Sequence, residues 1–175
     1  MKEKIERALQ ALIGLPLLAV GRAVTLQWFH FGAERTVLDR KGKPQSVGEY
    51  ALHTEKPWRI LGPDGILTGS GDRYYPAGDP TGKIPPDFNW LKQGANRADA
   101  RTTEFMNKWA QAPLIVEDVW ADAVGSIRLT FSHGFALEVF PNDSLPGEYS
   151  EHWRLFQPYS EAPHYVLTGS GLEEH

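Results

Sequence analysis

The sequence predicts an α+β protein with an internal duplication, in which two β-rich halves of about five strands each are preceded by a helix. Three observations predict it: short alternating apolar runs between turn residues, a helical pattern before each half, and five short motifs that recur in order. Each half has only about 60 residues, close to the smallest size that buries its own core. We therefore expect a single domain over residues 1–175, whose halves share one core about a pseudo-two-fold axis as a barrel or a sandwich.

The recurring motifs lie 95–102 positions apart and place the halves at residues 15–75 and 113–172. They are Pro16-Leu17-Leu18 with Pro113-Leu114-Ile115, Phe29–Gly32 with Phe131–Gly134, Gly48-Glu49-Tyr50 with Gly147-Glu148-Tyr149, Trp58-Arg59 with Trp153-Arg154, and Leu67–Gly71 with Leu167–Gly171. A period this long is not that of a solenoid, whose units repeat every 20–50 residues or so.

Both helices are predicted from apolar spacing. Residues 5–13 carry apolar side chains on one helical face, and Gly14 and Pro16 stop the helix. Glu3 and Glu6 lie where an export signal is basic, so we interpret this segment as an amphipathic helix and expect a cytoplasmic protein.

The second predicted helix spans residues 99–111 and follows a Pro/Gly-rich loop over residues 76–98. Strands are expected where aromatic or β-branched runs alternate with polar residues between turn sequences. In the first half these runs are 17–20, 24–31, 36–38, 50–61 and 66–68, and in the second 114–120, 127–131, 135–140, 148–156 and 164–167.

The composition excludes several chemistries. With no cysteine, the chain has no disulfide, thiolate zinc site, iron–sulfur cluster or cysteine nucleophile. The six histidines lack metal-ligand spacing, and Leu-Thr-Gly-Ser-Gly lacks the lysine and following helix of a phosphate loop. We therefore expect no metal, no cofactor and no catalytic residue of a recognisable motif. No apolar stretch of the sequence reaches the roughly 20 residues that are needed to cross a bilayer.

The net charge of −4 conceals an asymmetry, because residues 1–100 carry +3 and residues 101–175 carry −7. An acidic second half favours a basic partner protein and disfavours nucleic acid as a ligand. The sequence leaves the oligomeric state open.

Five residues are the candidate binding residues: Arg59, Asp72, Glu148, Glu151 and Arg154. Each arginine follows a tryptophan on a predicted strand, so it points away from the core and either pairs with a glutamate or binds an anion. Asp72 is present in only one of the two motif copies, and either binds a partner or caps a bend. The two glutamates belong to the acidic half.

At Trp58-Arg59-Ile60, Ile66–Asp72, Leu137–Pro141 and Trp153-Arg154-Leu155, the chain resembles small bacterial proteins of unknown function with repeated WR…GSxD β motifs. Some of these resemble immunity proteins encoded beside polymorphic toxins. The resemblance implies a protein without catalytic residues.

These observations lead to two hypotheses of function. The first is a non-enzymatic protein-binding module, an immunity-type inhibitor that presents an acidic face. The second is a small-ligand (anion) binding protein or a hydrolase, with a cleft between the halves floored by Trp58, Arg59, Trp153 and Arg154.

Overall fold

The computed structural model describes residues 1–145 and 150–175, which form two α-helices and thirteen strands. The helices are α1 (Lys2–Leu9) and α2 (Arg97–Trp109). The strands are β1 (Leu17–Ala23), β2 (Leu26–Phe31), β3 (Arg35–Leu38), β4 (Pro44–Val47), β5 (Tyr50–Thr54), β6 (Trp58–Gly62), β7 (Gly65–Gly69), β8 (Val116–Ala121), β9 (Ile127–Phe131), β10 (Phe135–Val139), β11 (Glu151–Phe156), β12 (Tyr165–Thr168) and β13 (Gly171–Glu174).

Most of the strands belong to two open antiparallel sheets. The six-stranded sheet has the order β1-β2-β5-β11-β12-β13, and the five-stranded sheet has the order β7-β6-β10-β9-β8. Strands β3 and β4 form a separate hairpin. The α+β, β-rich prediction is confirmed, whereas the barrel alternative is wrong, because neither sheet closes on itself within the described residues.

The inward faces of the two sheets meet in one apolar core. Phe29 of the six-stranded sheet contacts Trp58 of the five-stranded sheet edge to face, with ring centroids 5.6 Å apart. The indole N–H of Trp153 donates to the backbone oxygen of Gly125 at 2.9 Å. Both tryptophans are buried, so each provides the large apolar surface around which the facing strands pack.

The prediction of about five strands in each half is wrong, because β1–β7 precede residue 75 and β8–β13 follow residue 113. The run at residues 50–61 contains two strands that enter different sheets. Pro57 lies between them and has no N–H to donate to a ladder. The first two residues of the run predicted at 148–156 lie outside the described residues.

Each helix covers one side of the core. Helix α1 packs on β8, where Glu6 Oε1 accepts the N–H of Ala121 at 3.1 Å, and α2 packs on β1 and β7. Helix α2 begins two residues before its predicted start, since the Asn96 side chain caps it by accepting the N–H of Asp99 at 2.8 Å. No helix in the described parts of the chain is long and apolar enough to cross a membrane.

A buried ion pair fixes the Pro/Gly-rich loop and α2 to the six-stranded sheet. Arg22 of β1 donates through Nε and Nη2 to the two carboxylate oxygens of Asp99, both at 2.7 Å. Arg22 Nη2 also donates to the Trp90 carbonyl at 3.1 Å, and Asp99 accepts the N–H of Gly94 at 2.8 Å. One pair of side chains therefore joins the loop, the helix and the edge strand.

Removing one partner of this pair is expected to be costly. Asp99→Asn leaves the Arg22 charge buried without a counter-charge and should lower the free energy of unfolding by about 3–5 kcal/mol in urea denaturation. Arg22→Met combined with Asp99→Leu removes both charges and should recover most of that loss. The control, Lys2→Ala, breaks the exposed pair with Glu6 and should cost less than about 1 kcal/mol. A similarly small loss in Asp99→Asn contradicts the prediction.

Candidate functional site

A concave site lies on the outer face of the six-stranded sheet. In the β2–β5 pairing Trp28 is opposite His53 and His30 is opposite Ala51, so Trp28, His30 and His53 share the face that points away from Phe29. The β3–β4 hairpin and the segment after β11 enclose this face. They form a cavity of about 470 Å³, here called the histidine pocket, lined by Trp28, His30, Arg40, Gln45, Ser46, Val47, His53, Phe156, Pro158 and Tyr159.

Both histidines of the pocket are neutral near pH 7. Burial lowers the pKa of His53 to about 4, assisted by repulsion from His30 when that residue is protonated and from Arg154, while Glu151 acts in the opposite direction. Burial also lowers the pKa of His30. The N–H of Gly48 approaches His30 Nδ1 at 3.4 Å, which leaves the imidazole proton on Nε2.

Aromatic rings form the walls of the pocket. The rings of Trp28 and His30 are 4.8 Å apart and tilted by 35°, and His53 meets Phe156 edge to face at 4.8 Å. The indole of Trp28 lies across Gly21 of β1, where a Cβ atom would come within 2.2 Å of the ring. Gly21 is therefore needed for Trp28 to lie flat on the sheet.

The rim of the pocket holds an unpaired cation. Arg40 is exposed in the turn between β3 and β4 and has no ion pair or hydrogen bond with any residue that the structure describes. The hairpin is tied to the opposite rim, because Arg35 donates to the Pro158 carbonyl at 3.0 Å. Tyr159, the next residue, has φ 55° and an exposed ring.

The four sequence-predicted residues that the structure describes lie in three separate places. Arg59 lies on the outer face of the five-stranded sheet and donates to Glu138 at 2.6 Å, whereas Arg154 lies on the six-stranded sheet and donates to Glu151 at 2.7 Å. Asp72 accepts from the Thr68 hydroxyl at 3.0 Å.

Of the remaining predicted residues, Glu148 lies outside the described residues. Trp58 and Trp153 are buried in the core, and the arginines beside them occupy different sheets. These tryptophans and arginines therefore do not form one cleft.

From the sequence, His30 is expected near a strand end and His53 is an isolated histidine, and neither Trp28 nor Arg40 is singled out. The available signal was Trp28 and His30 two positions apart on one strand, which puts both on one face. Trp28 and His30 lie near His53 because of the register between β2 and β5. Arg154 lies in the same region because the register between β5 and β11 places it opposite His53.

The histidine pocket contains two imidazoles, which are side chains that bind metal ions, but no third such ligand among the described residues. Across residues 1–145 and 150–175, no group of three or more histidine, aspartate or glutamate side chains is placed to hold a metal ion. The two imidazoles are therefore available as hydrogen-bonding groups.

Comparison with protein-family models, curated proteins and solved structures finds no match for the chain. The resemblance to immunity-type proteins, based on the Trp-Arg and Gly-Ser motifs, therefore stays a prediction.

The low pKa of His53 predicts a loss of stability in acid. In the unfolded chain a histidine takes up its proton near pH 6.5, whereas folded His53 does so only near pH 4. The unfolded state thus binds more protons between these values, and the free energy of unfolding should fall as the pH decreases from 6.5 to 4.

Urea denaturation at pH 7.0, 5.5 and 4.5 tests this linkage. His53→Gln should show a smaller fall over that window than the unaltered protein, and Gln45→Ala, a pocket variant without a titrating group, should show the full fall. An undiminished fall in His53→Gln rules out this contribution of His53.

Proposed function

We propose that the protein binds a small planar aromatic molecule with a carboxylate or phosphate group in the histidine pocket. One observation carries the proposal: a cavity of about 470 Å³ that combines aromatic walls, two neutral imidazoles and an unpaired arginine at its rim. This volume lies within the range of roughly 300–1,000 Å³ that small-molecule sites occupy.

The aromatic part of the ligand follows from the walls. Trp28 and Phe156 lie on either side of His53, and the exposed ring of Tyr159 stands at the rim. A flat ring entering between them buries apolar surface and stacks in offset or edge-to-face geometry. The exposed Tyr159 ring gains the most burial when the site is filled.

The anionic part follows from Arg40. Its guanidinium lacks an internal partner among the described residues and has the planar donor geometry that fits carboxylate and phosphate. His30 and His53, neutral near pH 7, add hydrogen bonds without adding charge. No described lining residue is a carboxylate, so any general acid–base group in the pocket would be one of the two imidazoles.

We also infer that the chain is internally duplicated. The sheet orders support this, since β1-β2-β5-β11-β12 and β8-β9-β10-β6-β7 exchange strands of the two halves. The Gly48-Glu49-Tyr50 and Gly147-Glu148-Tyr149 motifs do not follow this exchange, which matches β5 with β10. A register shift occurs at Leu17/Ala19 in β1 and at Val116/Asp118 in β8. Pro16 and Ile115, which pair with each other, each accept a backbone N–H at 2.9 Å, from Gly32 and Ser132 respectively.

In this duplicated scheme the histidine pocket lies on one of the two sheets, and residues of both halves line it. Trp28 of β2 is paired with His53 of β5. At the equivalent position of the other sheet, Arg128 of β9 is paired with Glu138 of β10. The β3–β4 hairpin, which covers the pocket, comes between β2 and β5, while only a three-residue 3₁₀ turn separates β9 from β10. A ligand site on one sheet alone fits divergence of the two sheets after duplication.

Binding of a basic partner protein through the acidic half stays a prediction. Glu138 contacts Arg59 and Arg128, Glu151 contacts Arg154, and Asp143 contacts Lys56, so part of the negative charge is neutralised inside the chain. This internal pairing makes the histidine pocket the better supported site.

Titration of the ¹⁵N-labelled protein with 4-hydroxybenzoate and with phenyl phosphate tests the proposed function. We expect amide shifts concentrated at residues 45–47 and at Tyr159, and a weaker response to the neutral analogue 4-hydroxybenzamide. Arg40→Ala should weaken binding of the two anions at least tenfold, about 1.4 kcal/mol, and change binding of the amide little.

The matched control is Arg128→Ala, which removes an exposed arginine from the outer face of the other sheet and should leave all three affinities unchanged. Absence of saturable shifts at the pocket with either anion, or equal affinities in Arg40→Ala, rejects the proposed function.

A further inference from the structure

A second site is indicated by Arg73, a buried arginine without a counter-charge. Arg73 lies in the 3₁₀ turn Ser70–Tyr74 that follows β7, and is only 6% exposed. Its Nε atom is shielded from solvent and has no hydrogen-bond partner, and the guanidinium forms no ion pair with any described residue. An arginine keeps its proton, so burial leaves an uncompensated positive charge.

The nearest carboxylates are already engaged. Both oxygens of Asp99 accept from Arg22 at 2.7 Å, and one also accepts the N–H of Gly94. Asp72, the preceding residue, accepts from Thr68 and lies 3.4 Å from Arg101. Asp72 Oδ1 lies 3.8 Å from Arg97, so both Asp72 oxygens face other arginines, and the charge of Arg22 adds to the positive potential near Arg73.

Arg73 contacts an aromatic ring, and its Nε–H has no hydrogen-bond acceptor. The central carbon is 5.9 Å from the centroid of the Trp90 ring, a cation–π contact. Such a contact supplies no hydrogen-bond acceptor to the N–H groups of the guanidinium. A planar cation held against an indole with its N–H edge unpaired has the geometry that binds an oxyanion through two parallel hydrogen bonds.

We propose that Arg73 anchors a binding site for a small oxyanion, a carboxylate or a phosphate, where the 3₁₀ turn after β7 meets Trp90. The bound anion supplies the counter-charge that Asp72 and Asp99 do not. The site shares no residue with the histidine pocket, and it is independent of the proposed function.

Thermal unfolding of the whole chain measures the expected stabilisation. Sodium phosphate and sodium acetate are compared with sodium chloride at equal ionic strength, because chloride lacks the paired oxygens that match the guanidinium. At a concentration several times the dissociation constant, phosphate or acetate should raise the unfolding temperature by about 2–4 °C above chloride. The Arg73 Nε–H resonance should shift in the same titration.

Two variants assign the effect to Arg73. Arg73→Met keeps the apolar stem and removes the buried charge, so it should lose the anion-specific increase and be no less stable than the unaltered protein in chloride. Arg73→Lys keeps the charge without the two-pronged geometry and should bind the anion at least fivefold more weakly. Arg128→Met should keep the full increase, which separates this site from general charge effects.

A response to phosphate alone identifies a phosphate ligand, and a response to both anions identifies a general oxyanion site; either result supports the proposal. No stabilisation beyond chloride in the unaltered protein overturns it. An anion response that persists unchanged in Arg73→Met or Arg73→Lys also overturns the proposal, because Arg73 would then be a structural residue packed on Trp90.

Discussion

The fold depends on two strand pairings that join distant parts of the chain, β5 with β11 and β6 with β10. His53 is paired with Arg154, and Arg59 with Glu138, so each sheet is completed by strands from the other end of the sequence. Only the segment around Pro57 separates β5 from β6, yet these strands enter different sheets. Neither sheet can form fully without the other, and the entropy of closing these long loops is offset by one common core.

The same pairings create the chemistry of the outer faces. Because β11 lies beside β5, Phe156 packs against His53 and the charge of Arg154 lowers the histidine's pKa further. On the other sheet the corresponding positions carry Arg59, Glu138 and Arg128, which satisfy one another. One sheet face is therefore a closed charge network, while the other is a concave, apolar surface with neutral imidazoles and a hairpin over it.

Which charges stay unpaired in this protein depends more on the ion pairs of the folded chain than on the position of each charged residue in the sequence. The excess of acidic residues after residue 100 suggests an acidic face, but Glu138 and Glu151 contact arginines within the same fold. The unpaired charges among the described residues include two arginines from the first half, Arg40 at the rim of the histidine pocket and Arg73 beside Trp90. Both candidate sites are consequently suited to anions, which the net charge of −4 does not indicate.

Several local elements, and the chemistries excluded by the lack of cysteine, follow from the sequence alone. The alternation at residues 127–131 predicted β9 at its observed bounds, and the tryptophans before Arg59 and Arg154 are buried, as the strand pattern indicated. These features depend on side-chain alternation and turn residues, which neighbouring positions in the sequence display. The tertiary structure alone decided that residues 50–61 divide between two sheets and that Trp28, His30 and His53 line one pocket. The physical reason is that strand pairing and register are set by the burial of a shared core, which no local pattern encodes.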